Sequence, residues 1–408
     1  MSDKIAITGG ASAAASIPAR VAAVRQASPG GYEIALVSEF GIIPERLAAL
    51  SRGSASTLFQ RPAWLSAWYA TVAAPEGGAP LLVEVFDRGS GAHVMTLPLV
   101  KTGGQGFSRI EFADLGVTDY NAPILGPAAP NSAEEAAALW KQVRKALPGA
   151  DVIHLRKMPV ALKGRANPLA LLSGTHPSTC AGFSVTIPDD WEIYLRSLSK
   201  KFRKELGRSS RLFDTAGDTR FSRIESAAEA ARVLDAMNAQ QRSRLEEKGY
   251  QCPLGEESYN GFYASLVKDG IEDGTVVLTT LMSGDEPVAA LLGVTDGTSF
   301  AMVRLSHAGG EWLRIGLGRL IIERTMRALH KDGCRHFDFT IGDYPYKSGF
   351  GVEASPLVDL VSAESWRGKT RSAGDIAKAR VKLALAKMGI TFVPKAVKER
   401  YRQYRAAD

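Results

Sequence analysis

Four side chains capable of acid–base chemistry stand together in the segment FDFTIGDYPYKSGFG, at positions 337–351. They are Asp343, Tyr344, Tyr346 and Lys347. A carboxylate accepts protons, a phenol donates a hydrogen bond, and an ammonium group holds negative charge. The residues before them alternate between apolar and polar, which predicts a β-strand. The segment therefore predicts a polar loop at the end of a strand, and this loop is a candidate site.

A second candidate lies in LRIGLGRLII, at positions 313–322. Gly316 and Gly318 stand at the start of a predicted helix, where exposed backbone amides and the positive end of the helix dipole can bind a phosphate. Arg314 adds a cation that could assist. A single G-x-G pattern at this place is also typical of an ordinary turn.

His307 follows the predicted strand that ends at Ser306, close to the same helix start. An imidazole ionises near neutral pH, so it could accept a proton from an incoming amine. The alternative is a loop histidine without a chemical role. Arg304 should share a strand face with Ser306 rather than with His307, because side chains alternate along a strand.

A run of cations occupies SLSKKFRKELGRSSRL, at positions 197–212. A run of this kind is typical of a solvated helix face. It could equally line the entry of an anionic donor or contact a phosphate surface.

Several classes of site lack their sequence signatures. The six histidines show no H-x-x-x-H or H-E-x-x-H spacing, and the chain contains neither a G-x-x-x-x-G-K-[ST] nor a G-x-S-x-G motif. We therefore expect no bound metal, no P-loop and no serine-hydrolase elbow. Three cysteines without C-x-x-C spacing favour a reducing compartment, and no run of 18 apolar residues occurs. The expected location is the cytoplasm.

Short β-branched runs alternate with helical patterns along the chain, which predicts an α/β fold. A hairpin, a helix, a glycine and a short strand occur in that order in both halves, with KALPGADVIHL in the first matching ALHKDGCRHFDF in the second. The matching glycines are Gly149 and Gly333. This order predicts two tandem copies of one α/β unit, with a boundary near 187–200.

Three stretches carry a family resemblance: S-L-S-K-K-F-R-K-E-L, the loop at Gly316, and F-D-F-x-x-G-D-x-x-Y-K. Together they resemble the CelD-like acyltransferases of the GNAT superfamily, which are related to the FemAB-type aminoacyltransferases. The resemblance covers roughly 190–365 and implies tandem GNAT-like domains, each a mixed central sheet flanked by helices, plus a basic helical C-terminal tail. The expected divisions are a flexible leader (1–30), an N-terminal GNAT-like domain (31–190), a C-terminal acyltransferase domain (191–365) and the tail (366–408).

The resemblance implies transfer of an acyl group from a thioester, with acyl-CoA as co-substrate and no metal. The donor would lie between the strands at 298–306 and 334–341, with its pyrophosphate near Arg314, Gly316 and Gly318. The superfamily loop is commonly Q/R-x-x-G-x-G/A, but this chain has Leu313 at the first position. A second departure is Tyr344, where an acidic residue is commoner.

The same resemblance implies roles for the remaining candidates. His307 or Asp343 would act as the base for the amine, and Tyr346 as a proton donor or oxyanion partner. Lys347 would anchor the donor or intermediate electrostatically. The alternative for Lys347 is an ion pair with Asp343 that stiffens the loop.

The acceptor implied is an amine-bearing lipid or saccharide. The variant T-I-G-D-x-P-Y-K resembles the lipid-directed relatives, which favours a long-chain sphingoid base and a ceramide-forming reaction. From Trp366 to Asp408 the net charge is +9, whereas the preceding 365 residues have a net charge of −2. Such a tail could hold the protein at an anionic inner-membrane surface. The alternatives are acylation of an exopolysaccharide such as cellulose, FemAB-like transfer from aminoacyl-tRNA, and a non-catalytic GNAT scaffold.

Overall fold

The structure is a computed structural model that describes residues 24–27, 31–50, 53–104, 106–247, 257–371 and 374 of the 408-residue chain. Strands and helices alternate throughout. The strands are β1 (Val24–Ala27), β2 (Tyr32–Val37), β3 (Ala79–Asp87), β4 (His93–Gly103), β5 (Ser108–Phe112), β6 (Ile124–Leu125), β7 (Val152–Pro159), β8 (Ala161–Leu162), β9 (Arg165–Ala166), β10 (Thr175–Thr186), β11 (Thr219–Arg223), β12 (Val276–Ser283), β13 (Glu286–Thr295), β14 (Ser299–His307), β15 (His336–Ile341) and β16 (Glu353–Ala363). The helices are α1 (Ile43–Leu50), α2 (Pro62–Trp68), α3 (Ala133–Ala146), α4 (Trp191–Ser197), α5 (Lys200–Asp214), α6 (Ala227–Glu247), α7 (Glu257–Gly270), α8 (Leu317–Lys331) and α9 (Pro345–Ser348).

One 14-stranded mixed sheet runs through both halves of the chain. Its order is β1-β2-β3-β4-β5-β7-β16-β10-β15-β14-β13-β12-β11, with β6 paired to β4. Most neighbours are antiparallel, but β5 pairs in parallel with β7, and β14 pairs in parallel with β15. Each parallel pair is joined by a crossover that contains one helix, α3 in the first half and α8 in the second. The prediction of a tandem α/β fold is confirmed.

The two glycines that marked the repeat differ in conformation. Gly333 follows α8 with φ of 96°, in the left-handed region where glycine commonly ends a helix. Gly149 lies outside that region, and α3 ends at an extended Leu147 instead. The repeat is therefore one of topology rather than of matching caps.

The strands β10 and β16 tie the halves together, and the sequence did not predict either of them. β10 leaves the first half and pairs with β15 of the second, while β16 leaves the second half and pairs with β7 of the first. The two strands also pair with each other. β10 reads T-H-P-S-T-C-A-G-F-S-V-T, which has too few apolar residues for a clear two-residue period.

Within the predicted leader over 1–30, Val24–Ala27 form strand β1 on the edge of the sheet. All four residues pair with β2, so backbone hydrogen bonds order a segment whose composition suggested none. The rest of the predicted leader, and the predicted basic helical tail beyond Gly374, lie outside the described residues.

The hydrophobic core is continuous across the halves on one face of the sheet. This face packs against α1, α2, α6 and α7, and its cluster includes Trp64 of the first half and Phe262 of the second. Their rings meet edge to face with centroids 4.9 Å apart. On the opposite face, α5 and α8 cover the second half, with Phe337 and Phe339 of β15 pointing into their core.

Candidate active site

A gap opens between β14 and β15 in the second half. The two strands pair in parallel only at Ser299–His336, Phe300–Phe337 and Ala301–Asp338. Beyond that register β14 continues to His307 and β15 to Ile341, without further pairing to each other. The family resemblance placed the acyl donor between these two strands.

The N-terminus of α8, at Gly316–Gly318, lies at the end of this gap. We call this helix terminus the head of the gap. Gly316 enters the helix with φ of 78°, a left-handed conformation that glycine adopts at little cost. The backbone amide of Leu320 donates to the Gly316 carbonyl oxygen at 3.4 Å. The amides of residues 317–319 precede this bond, and amides in the first turn have no acceptor within their own helix. The helix dipole adds positive potential here.

Gly318 lies in the first turn of α8, beside β14. A Cβ added to it would lie 3.6 Å from both His307 Cδ2 and Leu305 Cδ2, which is ordinary contact. Arg314 is exposed nearby, and its carbonyl oxygen accepts a hydrogen bond from Arg208 Nη1 at 3.2 Å. The structure thus brings Gly316, Gly318 and Arg314 to one place.

His307 lies beside the glycine pair. Its Nδ1 is 3.1 Å from the Ala308 carbonyl oxygen and its Nε2 is 3.5 Å from Arg244 Nη1. Arg304 and Ser306 both hydrogen-bond to α6, where Arg304 donates to Asn238 Oδ1 at 2.8 Å and Ser306 to Gln240 Oε1 at 2.7 Å. The expected shared face of Arg304 and Ser306 is confirmed.

The buried side chain of Lys347 hydrogen-bonds to the backbone at the end of β15. Its side chain is only 2% exposed, and its ammonium donates to the carbonyl oxygens of Phe339 at 2.7 Å, Thr340 at 3.2 Å and Ile341 at 2.9 Å. Thr340 has φ of 61°, a strained conformation for a β-branched residue. The sequence predicted an electrostatic anchor or an ion pair with Asp343; this geometry shows that the charge of Lys347 holds the backbone.

The other two loop candidates lie nearer the solvent. Asp343 is exposed, and Tyr346 is half-buried. The rings of Tyr344 and Tyr346 are stacked, with centroids 6.1 Å apart and planes 16° apart. The loop therefore presents a carboxylate and stacked phenol rings above the ammonium of Lys347.

Four polar residues that were not among the predicted site residues meet where the strands part. The Tyr120 hydroxyl donates to Asp338 Oδ1 at 2.9 Å, and the Thr340 amide donates to the same oxygen at 2.6 Å. The Thr340 side chain hydrogen-bonds to Asp119. The pKa of Asp338 is raised to about 7, because burial and the negative charge of Asp119 together outweigh its hydrogen bonds and the charge of Lys347. We call Asp119, Tyr120, Asp338 and Thr340 the junction cluster.

A buried ion pair holds the loop that carries Asp119 and Tyr120. Asp114 Oδ2 accepts from Lys157 Nζ at 2.8 Å and from Asn121 Nδ2 at 2.8 Å. Lys157 Nζ also donates to the Thr118 carbonyl oxygen. Burial opposes ionisation of Asp114, but the charges of Lys157 and Arg156 outweigh it, so the pKa of Asp114 is lowered. The signal in the sequence was ADLGVTDYNAP, a polar loop after β5 that corresponds to the loop after β15.

Among the described residues, no helix is long and apolar enough to cross a membrane. Within the same part of the chain, no group of three or more His, Cys, Asp or Glu side chains could hold a metal ion.

The head of the gap and the loop after β15 fall within a segment that matches a known family. Residues 200–348 match the family profile described as acetyltransferase (GNAT) domain. No sequence among curated proteins matches the chain.

FemX shares this fold at low identity, and two further solved structures are similar to the chain with lower scores. FemX is 12% identical, with a TM-score of 0.54 and coverage of 79% of this chain and 97% of that one. The C-terminal domain of a putative lysylphosphatidylglycerol synthetase from Agrobacterium fabrum is 12% identical, with a TM-score of 0.47 and coverage of 88% and 99%. A tandem GNAT protein from the clavulanic acid biosynthesis pathway is 12% identical, with a TM-score of 0.41 and coverage of 81% and 98%. Residues 200–348 form a GNAT-type acetyltransferase domain, and the protein is an enzyme of the N-acyltransferase type.

Proposed function

We propose that the protein transfers an acyl group from acyl-CoA to an amine, with the donor lying in the gap between β14 and β15. The observation that carries this proposal is the end of the parallel pairing at Ala301 and Asp338, beyond which β14 and β15 no longer pair with each other and an extended pantetheine chain could lie between them. The amides at the head of the gap would receive the pyrophosphate. Arg314 and the exposed cations of α5 would meet the other donor phosphate.

The positions of the remaining predicted residues suggest their roles in acyl transfer. His307 and Asp343 are the candidate bases carried forward from the sequence, the first beside the head of the gap and the second in the loop after β15. Tyr346 is proposed to donate a hydrogen bond to the oxyanion or leaving thiolate. Lys347 is proposed to position that loop.

For the acceptor, we propose a long-chain sphingoid amine met at an anionic membrane surface. Two exposed apolar side chains adjoin cations: Leu313 is 64% exposed next to Arg314, and Trp366 is 72% exposed with the Arg367 guanidinium 5.5 Å from its ring centroid. Apolar and cationic groups side by side suit the boundary between lipid headgroups and acyl chains.

A second candidate is FemAB-like transfer from aminoacyl-tRNA, which the exposed cations of α5 favour. Lys200, Lys201, Lys204, Arg208 and Arg211 all face solvent on this helix. A polyanion would bind there with a strong dependence on salt. Titration with tRNA and with anionic vesicles at several salt concentrations separates the two, since we expect vesicle binding without tRNA binding.

We expect Gly318→Ala to weaken CoA binding at least tenfold without destabilising the protein. The new methyl group fits against His307 and Leu305 of β14 at 3.6 Å, and it would narrow the space beside β14 through which we propose that the donor phosphates approach the amides. Isothermal titration with CoA measures the affinity, and thermal unfolding checks the fold.

Gly261→Ala is the matched control for this substitution. Gly261 lies in α7, where an added Cβ would meet only Thr71 at 3.8 Å or more. Both variants should unfold at or slightly above the wild-type temperature, because alanine restricts the unfolded chain. Unchanged CoA affinity in Gly318→Ala would contradict the proposed donor site.

The acceptor is tested by incubating the purified protein with palmitoyl-CoA and sphinganine, and measuring the amide by mass spectrometry. In a deletion strain, free long-chain amines should accumulate. Normal lipids together with missing acyl groups on surface polysaccharide would favour the saccharide acceptor instead.

A further inference from the structure

Asp338 occupies the last position at which β14 and β15 pair. Phe337 and Phe339, its neighbours along β15, point into the core beneath α5 and α8, so Asp338 faces the opposite side, toward the first half of the chain. The Asp338 side chain is half-buried. A donor that follows the gap would bring its thioester close to this carboxyl group.

The hydrogen bond that orients Asp338 comes from the first half of the chain. Tyr120 lies in the loop after β5, 218 residues away in sequence, and is 7% exposed. Its ring packs against β10, where a Cβ on Gly182 would be only 2.4 Å from the Tyr120 hydroxyl oxygen. The absence of a side chain at Gly182 therefore permits this close approach.

A second carboxylate from the same loop faces the junction. Asp119 accepts a hydrogen bond from the Thr340 side chain, and its negative charge acts on both Asp338 and Tyr120. Burial raises the pKa of Asp119, against the charges of Lys157 and Lys347. Tyr120, Asp119 and Lys347 are the ionisable groups that act on Asp338.

We propose that Asp338 accepts a proton from the acceptor amine, and that Tyr120 and Asp119 of the first half orient Asp338 and adjust how strongly it binds that proton. This inference rests on the proposed function. The Asp338 carboxylate takes a proton from R–NH3⁺, and the neutral nitrogen attacks the thioester carbonyl. The N–C bond forms, the C–S bond breaks, and the second nitrogen proton passes to the leaving thiolate. The products are the amide, free CoA thiol and one proton held on Asp338.

The acidity of Asp338 suits this step. Burial raises its pKa to about 7, so near neutral pH the group is partly ionised and both gives and takes protons readily. The catalytic domain matched at residues 200–348 would then be incomplete without the loop at Asp119 and Tyr120.

The test compares two acceptors, using release of CoA thiol from palmitoyl-CoA by the full chain. Sphinganine is an ammonium ion at neutral pH, whereas hydroxylamine is neutral and needs no prior loss of a proton. We expect Asp338→Asn to slow transfer to sphinganine about 100-fold. Transfer to hydroxylamine should fall far less. The residual sphinganine rate should rise about tenfold per pH unit, as the neutral amine fraction does.

Tyr120→Phe tests the positioning role. The lost hydrogen bond favoured the ionised form of Asp338, so the pKa of Asp338 should rise in this variant. The ascending limb of the rate–pH profile should therefore shift to higher pH by about one unit. Asp332→Asn, at an exposed carboxylate beyond α8, is the control and should leave the profile unchanged.

A readout that needs no substrate is the melting temperature from pH 4 to pH 8. Because the pKa of Asp338 is raised in the folded state, its stabilising contribution is complete below the unfolded value and is lost as pH rises through about 7. Asp338→Asn should therefore gain stability relative to wild type across this range.

The measurements distinguish a failure of the proposed function from a failure of the role of Asp338 alone. A wild type that binds no CoA and acylates neither acceptor would overturn the proposed function and this inference with it. If the wild type transfers normally, two results would overturn this inference alone. The first is an equal loss for both acceptors in Asp338→Asn. The second is a sphinganine-specific loss in His307→Gln or Asp343→Asn instead of in Asp338→Asn.

Discussion

Replacing Lys157 by methionine should destabilise the folded protein by about 3–5 kcal/mol, because it leaves the Asp114 carboxylate buried without its cation. Asp114 is 3% exposed, and the Lys157 ammonium lies 2.8 Å from its Oδ2. Methionine preserves most of the apolar stem of lysine, so the loss reports on the charge. Urea unfolding followed by tryptophan fluorescence measures it, since Trp64 and Trp68 both hydrogen-bond to this loop, at Thr118 and Asp114.

The effect should depend on pH with a definite sign. The pKa of Asp114 is lowered in the folded wild type, so the stability it contributes is present above its ordinary pKa and is lost as pH falls through the folded value. Without Lys157, burial acts unopposed by that charge and the carboxyl protonates more readily. The difference between variant and wild type should therefore be largest near pH 7 and should shrink below about pH 4.

Arg196→Met is the control for an ion pair at the surface. Arg196 and Asp190 are 67% and 53% exposed and lie 3.8 Å apart, a geometry that contributes little. We expect a change below about 0.5 kcal/mol. A similarly small loss in Lys157→Met would show that the Asp114–Lys157 pair does not hold the loop of Asp119 and Tyr120.

Replacing Lys347 by methionine should cost about 3 kcal/mol and should loosen the loop after β15. The ammonium donates hydrogen bonds to the carbonyl oxygens of Phe339, Thr340 and Ile341. Methionine cannot donate, so these acceptors would be left without that partner, and each buried acceptor without a donor costs free energy. The left-handed Thr340 would also lose the contact that holds it. Urea unfolding gives the global change, and hydrogen exchange of residues 339–350 gives the local one.

Lys268→Met removes an exposed lysine from α7 and is the matched control. It should unfold like the wild type, with unchanged exchange in the loop. Wild-type exchange at residues 339–350 in Lys347→Met would contradict the backbone role, and would return Lys347 to the electrostatic role predicted from the sequence. Retained stability with abolished transfer would point the same way.

These two lysines explain how the junction cluster is held. Lys157 fixes the loop of the first half that carries Asp119 and Tyr120, and Lys347 fixes the strand end of the second half that carries Asp338 and Thr340. Lys157 lies within β7, beyond the pairing of that strand with β5, and Lys347 lies in α9, after β15.

The local patterns of the sequence determined the elements of each half. Short β-branched runs and helical patterns predicted a hairpin, a helix and a short strand in each half, because these features depend on neighbours in sequence. The same local signals located the glycine pair at the head of the gap. They also identified 337–351 as a strand followed by a polar loop.

Only the tertiary structure decided which of those polar residues meet. The contact between Tyr120 and Asp338 joins residues 218 apart, and it depends on the crossing of β10 and β16 between the halves. No local pattern encodes such a pairing, since β10 lacks a clear apolar period and register across distant strands is set by packing. The direction of Lys347 was likewise undetermined, because a lysine after a strand can face solvent, a ligand or its own backbone. Burial selected the backbone, where three carbonyl oxygens compensate for the removal of its charge from water.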